Sequence, residues 1–247
     1  MNEPRLKVIS LFTGAGGLDI GFEKAGFEIS VCVESDPACC DTLATNMEGV
    51  PIICKDIKQV TSKEILEAAG LKPLEATLVI GGPPCQPFSL AGNRQGIYDA
   101  RGTLFYEFVR VVRDALPIGF VMENVPGLLN WNKGEAVNII LKEFRKNIEF
   151  YGSRYQYKVE PPQKLNAVDF GVPQLRDRVF FVGNRLGKDF KFPQPTYYNP
   201  IKYPLLTPHY KTVDDALGNL PPADEPSETA KRVAKTIKER NKTLGYE

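Results

Sequence analysis

The 247-residue sequence contains a single histidine, His209, in a proline-rich stretch with no cysteine close by. That scarcity argues against a zinc site, which draws on histidine and cysteine ligands. It also removes the histidines on which serine hydrolases and metalloproteases rely. Cysteines are five and odd in number (Cys32, Cys39, Cys40, Cys54, Cys85), with no C-x-x-C spacing. A disulfide framework is therefore not expected, and a reducing, cytosolic compartment fits better. No apolar run reaches the roughly 18 residues of a membrane span, and residues 1–7 open with charge rather than a signal peptide. Lys+Arg 31 against Asp+Glu 30 leaves a net charge of +1. Whole-molecule charge thus neither announces a nucleic-acid partner nor excludes one, because a local basic face suffices. A P-loop signature is missing as well.

What is present is an ordinary globular composition, 43% hydrophobic and 25% charged, with enough apolar material for a sizeable core. Apolar, β-prone runs at 6–12, 29–33, 51–54, 77–80 and 118–122 read as strands. Helical periodicity marks 18–26, 37–47, 63–69, 103–115 and 135–148. Residues 155–159 and 178–183 read as a closing pair of strands, and 81–102 as a long loop. This alternation predicts an α/β fold, a doubly wound, mostly parallel, Rossmann-like sheet. After Arg185 the character changes: 8 of the 20 prolines lie between Pro193 and Pro226, too many for continued alternation. Residues 231–242 then read as a basic helix, with a solvated face as the plain alternative to a docking or phosphate-contacting role. Two regions follow, 1–190 as the catalytic sheet and 191–247 as a proline-rich segment with a basic helix.

Four short patterns carry chemistry. Strand one runs into Phe12-Thr13-Gly14-Ala15-Gly16-Gly17, a glycine-rich strand-to-helix turn that lets the backbone approach a nucleotide-like ligand. Asp19 stands where the dinucleotide fingerprint wants its third glycine, which weakens a nicotinamide reading. Glu34 ends the second strand and Asp56 follows the third, positions suited to ribose and adenine contacts. Next, Gly81-Gly82-Pro83-Pro84-Cys85-Gln86-Pro87-Phe88-Ser89 puts a cysteine on a rigid loop at the carboxyl edge of the sheet. It is either a nucleophile or a small buried hydrophobe; the latter is expected of the other four cysteines. Glu123-Asn124-Val125 ends the fifth strand facing the same crevice, as a proton donor or merely a cap. Finally, alternation in Gln174-Leu175-Arg176-Asp177-Arg178 puts Gln174, Arg176 and Arg178 on one face, a contact row for an anion or base or a solvated edge.

In this order, the four patterns resemble the DNA (cytosine-5) methyltransferase family over about residues 6–183, with a weaker continuation at 212–222. The resemblance implies S-adenosylmethionine as cofactor, held by Phe12, Gly14, Gly16, Gly17, Leu18, Glu34, Asp56, Ile57 and Leu104, with no metal. It implies Cys85 as the nucleophile on C6 of a flipped-out cytosine and Glu123 at N3. Arg178 would be at O2 with Arg176 beside it, and Gln86, Ser89, Asn124 and Gln174 would make further substrate contacts. Double-stranded DNA is the implied substrate, and the bacterial cytoplasm the implied location. Transfer RNA, or a non-catalytic methyltransferase-like DNA-binding regulator, is the alternative.

Relatives of this kind continue past the point where this sequence ends, through a target-recognition region and closing segments that return to the cofactor. The recognition region is thus expected to be incomplete at the C-terminus. The chain resembles the larger (alpha) subunit of a split, AquI-type modification methylase, with a second subunit supplying the rest. A truncated fragment, or a chain acting alone, is the other reading.

Overall fold

The computed structural model describes residues 6–84, 103–220, 231, 232 and 235. Strands β1 (Leu6–Leu11), β2 (Phe27–Glu34), β3 (Ile52–Cys54), β4 (Leu78–Gly81) and β5 (Gly119–Asn124) interleave with helices α1 (Gly17–Lys24), α2 (Pro37–Asn46), α3 (Ser62–Ala68) and α4 (Thr103–Ala115). Helices α5 (Gly127–Asn130) and α6 (Glu135–Phe144) follow, then strands β6 (Ile148–Phe150), β7 (Ser153–Tyr155), β8 (Lys158–Val159), β9 (Gln163–Asn166) and β10 (Asp177–Asn184), and a short α7 (Val213–Leu217).

The main sheet is ordered β3-β2-β1-β4-β5-β10-β8, with β9 also paired to β10. Pairs among β1 to β5 are parallel, whereas β10 runs antiparallel to β5, β8 and β9. The fold is therefore mixed α/β with a mostly parallel central sheet. The chain leaves β1 toward β2 on one side and later builds β4 on the other. That reversal opens a crevice at the carboxyl ends of β1 and β4, the place where such sheets bind ligands.

Both faces of the sheet are covered, which is why β1 and β2 read as nearly unbroken apolar runs. One face, with Ile9, Leu11, Val31, Val79 and Met122, belongs to the larger core together with α3, α4 and α6. The opposite face, with Val8, Cys32 and Ile80, meets Leu43 and Met47 of the α2 region. Aromatic rings close the larger core: Phe120 stacks on Phe144 at 4.0 Å, and Phe108 meets both edge-on.

Four sequence expectations need correction. The helix expected over 135–148 ends at Phe144, and Ile148 opens a hairpin with β7. Its turn residues Tyr151 and Gly152 both take positive φ, a geometry helical periodicity cannot reveal. The strand expected over 155–159 is broken at Gln156 and Tyr157; Tyr157 leaves the ladder to bury its ring and donate from its hydroxyl to the Pro117 carbonyl at 2.7 Å. Gln174 and Arg176 precede β10 in a turn, so only Arg178 of that row stands on a strand. Finally, Cys40 and Cys54 form a disulfide, with Cα atoms 6.0 Å apart. The β2–α2–β3 crossover returns the chain beside its start, so pairing is set by topology and not by spacing. Cys32 is buried as expected, while Cys39 is half-buried and free.

Of the basic segment 231–242, only Lys231, Arg232 and Lys235 are described, all helical and exposed.

Candidate active site

The glycine turn is built on left-handed backbone. Gly14 and Gly16 have φ of 58° and 84°, a region that costs other residues energy. A Cβ on Gly16 would also stand 3.0 Å from the Met47 methyl carbon. Phe12 itself takes φ 53° and lines the crevice while packing against the larger core. Glu34, at the end of the neighbouring β2, braces the turn. One carboxylate oxygen accepts the Gly14 amide at 2.7 Å, and the other accepts the Ser35 and Asp36 amides.

Across the crevice, β4 ends in Gly81 and Gly82. A Cβ on Gly81 would lie 2.2 Å from the Leu11 carbonyl oxygen, and one on Gly82 would lie 2.9 Å from Oε2 of Glu123. Glycine is thus required at Gly81, where the neighbour is backbone, whereas at Gly82 a side chain would push the Glu123 carboxylate aside. Glu123 Oε1 pairs with Arg178 Nε at 2.5 Å, and both side chains remain about one-quarter exposed. Arg178 also donates through Nη1 to the Asp177 carbonyl at 2.8 Å. The antiparallel register, Phe180 opposite Glu123, sets these side chains on one rim.

Between these walls lies a cavity of about 570 Å³, lined among others by Phe12, Gly17, Leu18, Gly82, Glu123, Arg176 and Arg178. Its size falls within the usual range for small-molecule sites. A glycine cradle therefore faces an acid–guanidinium pair across one space. Gln174 is exposed and does not line it. Asp56 is exposed and caps the following turn through the Lys58 amide at 2.9 Å, while Ile57 is buried in the larger core. Leu104 packs against that same core. Cys85, Gln86 and Ser89 lie outside the described residues.

Asn124 uses both ends of its amide within the chain. Nδ2 donates to the Pro83 carbonyl at 3.1 Å and Oδ1 accepts the Val125 amide at 2.8 Å. It thereby ties β5 to the backbone two residues before Cys85. Sequence reasoning missed Asn166, whose Oδ1 accepts the amides of Val168 and Arg176 at 3.2 and 3.0 Å. That bond clamps both ends of the turn that delivers Arg176 and Arg178. An asparagine just before a short helical turn is a recognisable cap signal. Asp19 was noticed only as a departure from a fingerprint. In the structure it is fully buried in the cavity wall, and burial, only partly offset by hydrogen bonding from the Ser10 hydroxyl and its own backbone amide, raises its carboxyl above the ordinary value.

Among the described residues, no group of three or more His, Cys, Asp or Glu side chains is placed to hold a metal ion. No described helix is long and apolar enough to cross a membrane.

Comparison with known proteins agrees with this geometry. The Type II methyltransferase M.AquIA of Picosynechococcus is 56% identical over 247 residues, covering 97% of this chain and 99% of that relative. The Type II methyltransferase M.FnuDI of Fusobacterium nucleatum is 44% identical over 80% of this chain, which spans 53% of that relative. A solved E. coli prophage protein, described as a DNA modification methyltransferase, superposes with a TM-score of 0.67 at 30% identity, over 87% of this chain and 55% of that one. The S. pombe Dnmt2 methyltransferase, at 21% identity and a TM-score of 0.55 over 76% of this chain and 52% of its own, shares the fold. Residues 6–245 match the family model of C-5 cytosine-specific DNA methylases. With nearly its whole length matched, the chain belongs to the C-5 cytosine-specific DNA methylase family.

Proposed function

We propose that the chain transfers a methyl group from S-adenosylmethionine to C5 of a flipped-out cytosine within a specific sequence of double-stranded DNA. In this reading it is the catalytic subunit of a two-polypeptide Type II modification methylase in a bacterial cytoplasm. The observation that carries the catalytic part is the single cavity that opposes the glycine turn to the Glu123–Arg178 pair.

The residues present fit the cofactor. Phe12 offers a ring to the adenine, and Gly17 and Leu18, which line the cavity, offer a close approach to the methionyl end, with Gly14 and Gly16 shaping the turn through their left-handed backbone. Glu34, Asp56, Ile57 and Leu104 complete the nucleoside side of this assignment. When bound, the cofactor supplies an electrophilic methyl group on a sulfonium.

Cytosine C5 is a poor nucleophile in an aromatic ring, and its face is hidden in the duplex. Extruding the base costs a few kcal/mol. The Cys85 thiolate adds to C6, moving ring electrons onto C5, while Glu123 protonates or hydrogen-bonds N3. Arg178 holds O2, with Arg176 beside it. C5 would take the methyl group as the sulfonium's carbon–sulfur bond breaks and its electron pair stays on sulfur, leaving a neutral thioether; a base would then remove the C5 proton, and elimination would break the Cys85–C6 bond and return the thiolate. Asn124 acts by fixing the Pro83 carbonyl, and so the approach to Cys85. Gln86, Ser89 and Gln174 make outer contacts to the substrate.

Cys85→Ala is expected to abolish transfer of labelled methyl groups to duplex DNA and to leave cofactor binding, read by calorimetry, largely intact. Undiminished methylation by that variant overturns the nucleophile assignment. The two-polypeptide part rests on the longer relatives, of which this chain spans about half. The purified chain is expected to methylate weakly until a second polypeptide bearing the remaining segments is added. Strong sequence-specific methylation by this chain alone would sink that part.

A further inference from the structure

The region after β10 keeps its apolar side chains outside. Ile201 and Leu205 are 92% and 93% exposed, with Tyr203 and Leu206 a little under half exposed. Helix α7 adds exposed Val213 and Leu217, one turn apart. Single exposed apolar residues are unremarkable, but a run of them on an ordered segment marks an interaction surface.

The segment is built to hold them outward. Asn199 Oδ1 accepts the amides of Ile201 and Lys202 at 2.9 and 3.1 Å, and the Asn199 carbonyl accepts the Tyr203 amide. A bridge between Tyr198 and His209 closes the base of the loop. The base is bolted to the cavity wall: the Tyr210 hydroxyl donates to Asp169 Oδ1 at 2.5 Å, and the amides of Thr196 and Tyr197 donate to the Asp169 carbonyl. Asp169 lies in the turn whose Ala167 and Phe170 line the cavity.

Its chemistry selects a protein rather than a nucleic acid. Phosphate contacts need several cations, whereas residues 199–206 carry one, Lys202, beside the exposed Ile201 and Leu205. Resting on the two-polypeptide reading above, we infer that residues 199–206 and α7 are the docking surface for the polypeptide that carries the remaining half of the longer relatives. Two observations favour this occupant: the chain spans only 53% of those relatives, and the base of the loop is hydrogen-bonded through Asp169 to the turn whose Ala167 and Phe170 line the cavity.

The test mixes the full chain with a separate polypeptide bearing the segments that the longer relatives carry beyond it. Sedimentation and duplex-DNA methylation are read for the wild type, for I201E/L205E, and for Tyr151→Glu on the β6–β7 hairpin. The expected result is a one-to-one complex with gained activity, weakened at least tenfold by I201E/L205E, untouched by Tyr151→Glu, and with unchanged melting temperatures. Full binding by I201E/L205E overturns the docking surface while leaving the two-polypeptide reading standing. Failure of the wild type to bind or gain activity overturns both. A wild-type dimer dissolved by I201E/L205E assigns the face to a second copy, and a large loss of melting temperature assigns it to this chain's own residues. Either result overturns the inference.

Discussion

Phe120 and Leu205 are both large apolar residues, and they live under opposite rules. Phe120 is fully buried, sandwiched by Phe108, Phe144 and Tyr157 in the larger core on one face of the sheet. Leu205 is almost wholly exposed on a loop whose hydrogen bonds fix its backbone and leave its side chain without a neighbouring core. The sheet obtains its stability from apolar burial. The segment after it obtains order from polar clamps such as Asn199, Asp169 and the Thr212–Asp215 capping box. One region is finished by its own sequence, and the other keeps its apolar surface available to something else.

The sharpest way to break that contrast is Phe120→Ala. Loss of the stacked ring is expected to cost about 3–5 kcal/mol in denaturant unfolding. Gly82→Ala probes the seam between the two β4–β5 walls. A Cβ 2.9 Å from Glu123 Oε2 must displace that carboxylate, so methyl transfer should fall on the order of tenfold to a hundredfold, with little change in melting temperature.

Asp19→Asn sharpens the burial side through pH. Burial lifts the Asp19 carboxyl above its ordinary 3.8, so the folded chain holds a proton that the unfolded chain has released. Stability is thereby lost as pH climbs from the unfolded value through the folded one, and it stays reduced above. The variant's melting temperature relative to wild type should therefore be more favourable near about pH 8 than near about pH 4. At the small end, Leu205→Ser alone should change unfolding free energy by no more than about 0.5 kcal/mol. A larger loss would mean that the two regions are not as different as their burial indicates.

The same contrast explains what the sequence made legible. Apolar periodicity located β1 to β5 and their helices, and α4 coincides with its expected span 103–115, because burial on both faces writes a strong pattern. It missed β9, whose Gln163-Lys164-Leu165-Asn166 is polar and becomes a strand only by pairing with β10. Of the expected site residues, those tied to strand ends, Phe12, Gly17, Leu18, Glu123 and Arg178, meet at the cavity. Arg176 arrives there from a turn, held by Asn166, rather than by strand alternation. The Cys40–Cys54 pairing and the Asn124–Pro83 contact depend on crossovers that local spacing does not encode.

Glu34 carries one further consequence. An ionised carboxylate has about four acceptor positions, and three of them are already filled by the amides of Gly14, Ser35 and Asp36. It can offer a ligand one lone pair, not a forked grip on two hydroxyls. Replacing it with glutamine would turn an NH2 group toward Gly14, or toward Ser35 and Asp36, setting donor against donor. The variant would spoil the glycine turn itself, so an altered cofactor affinity there would measure the shape of the cradle as much as a direct contact.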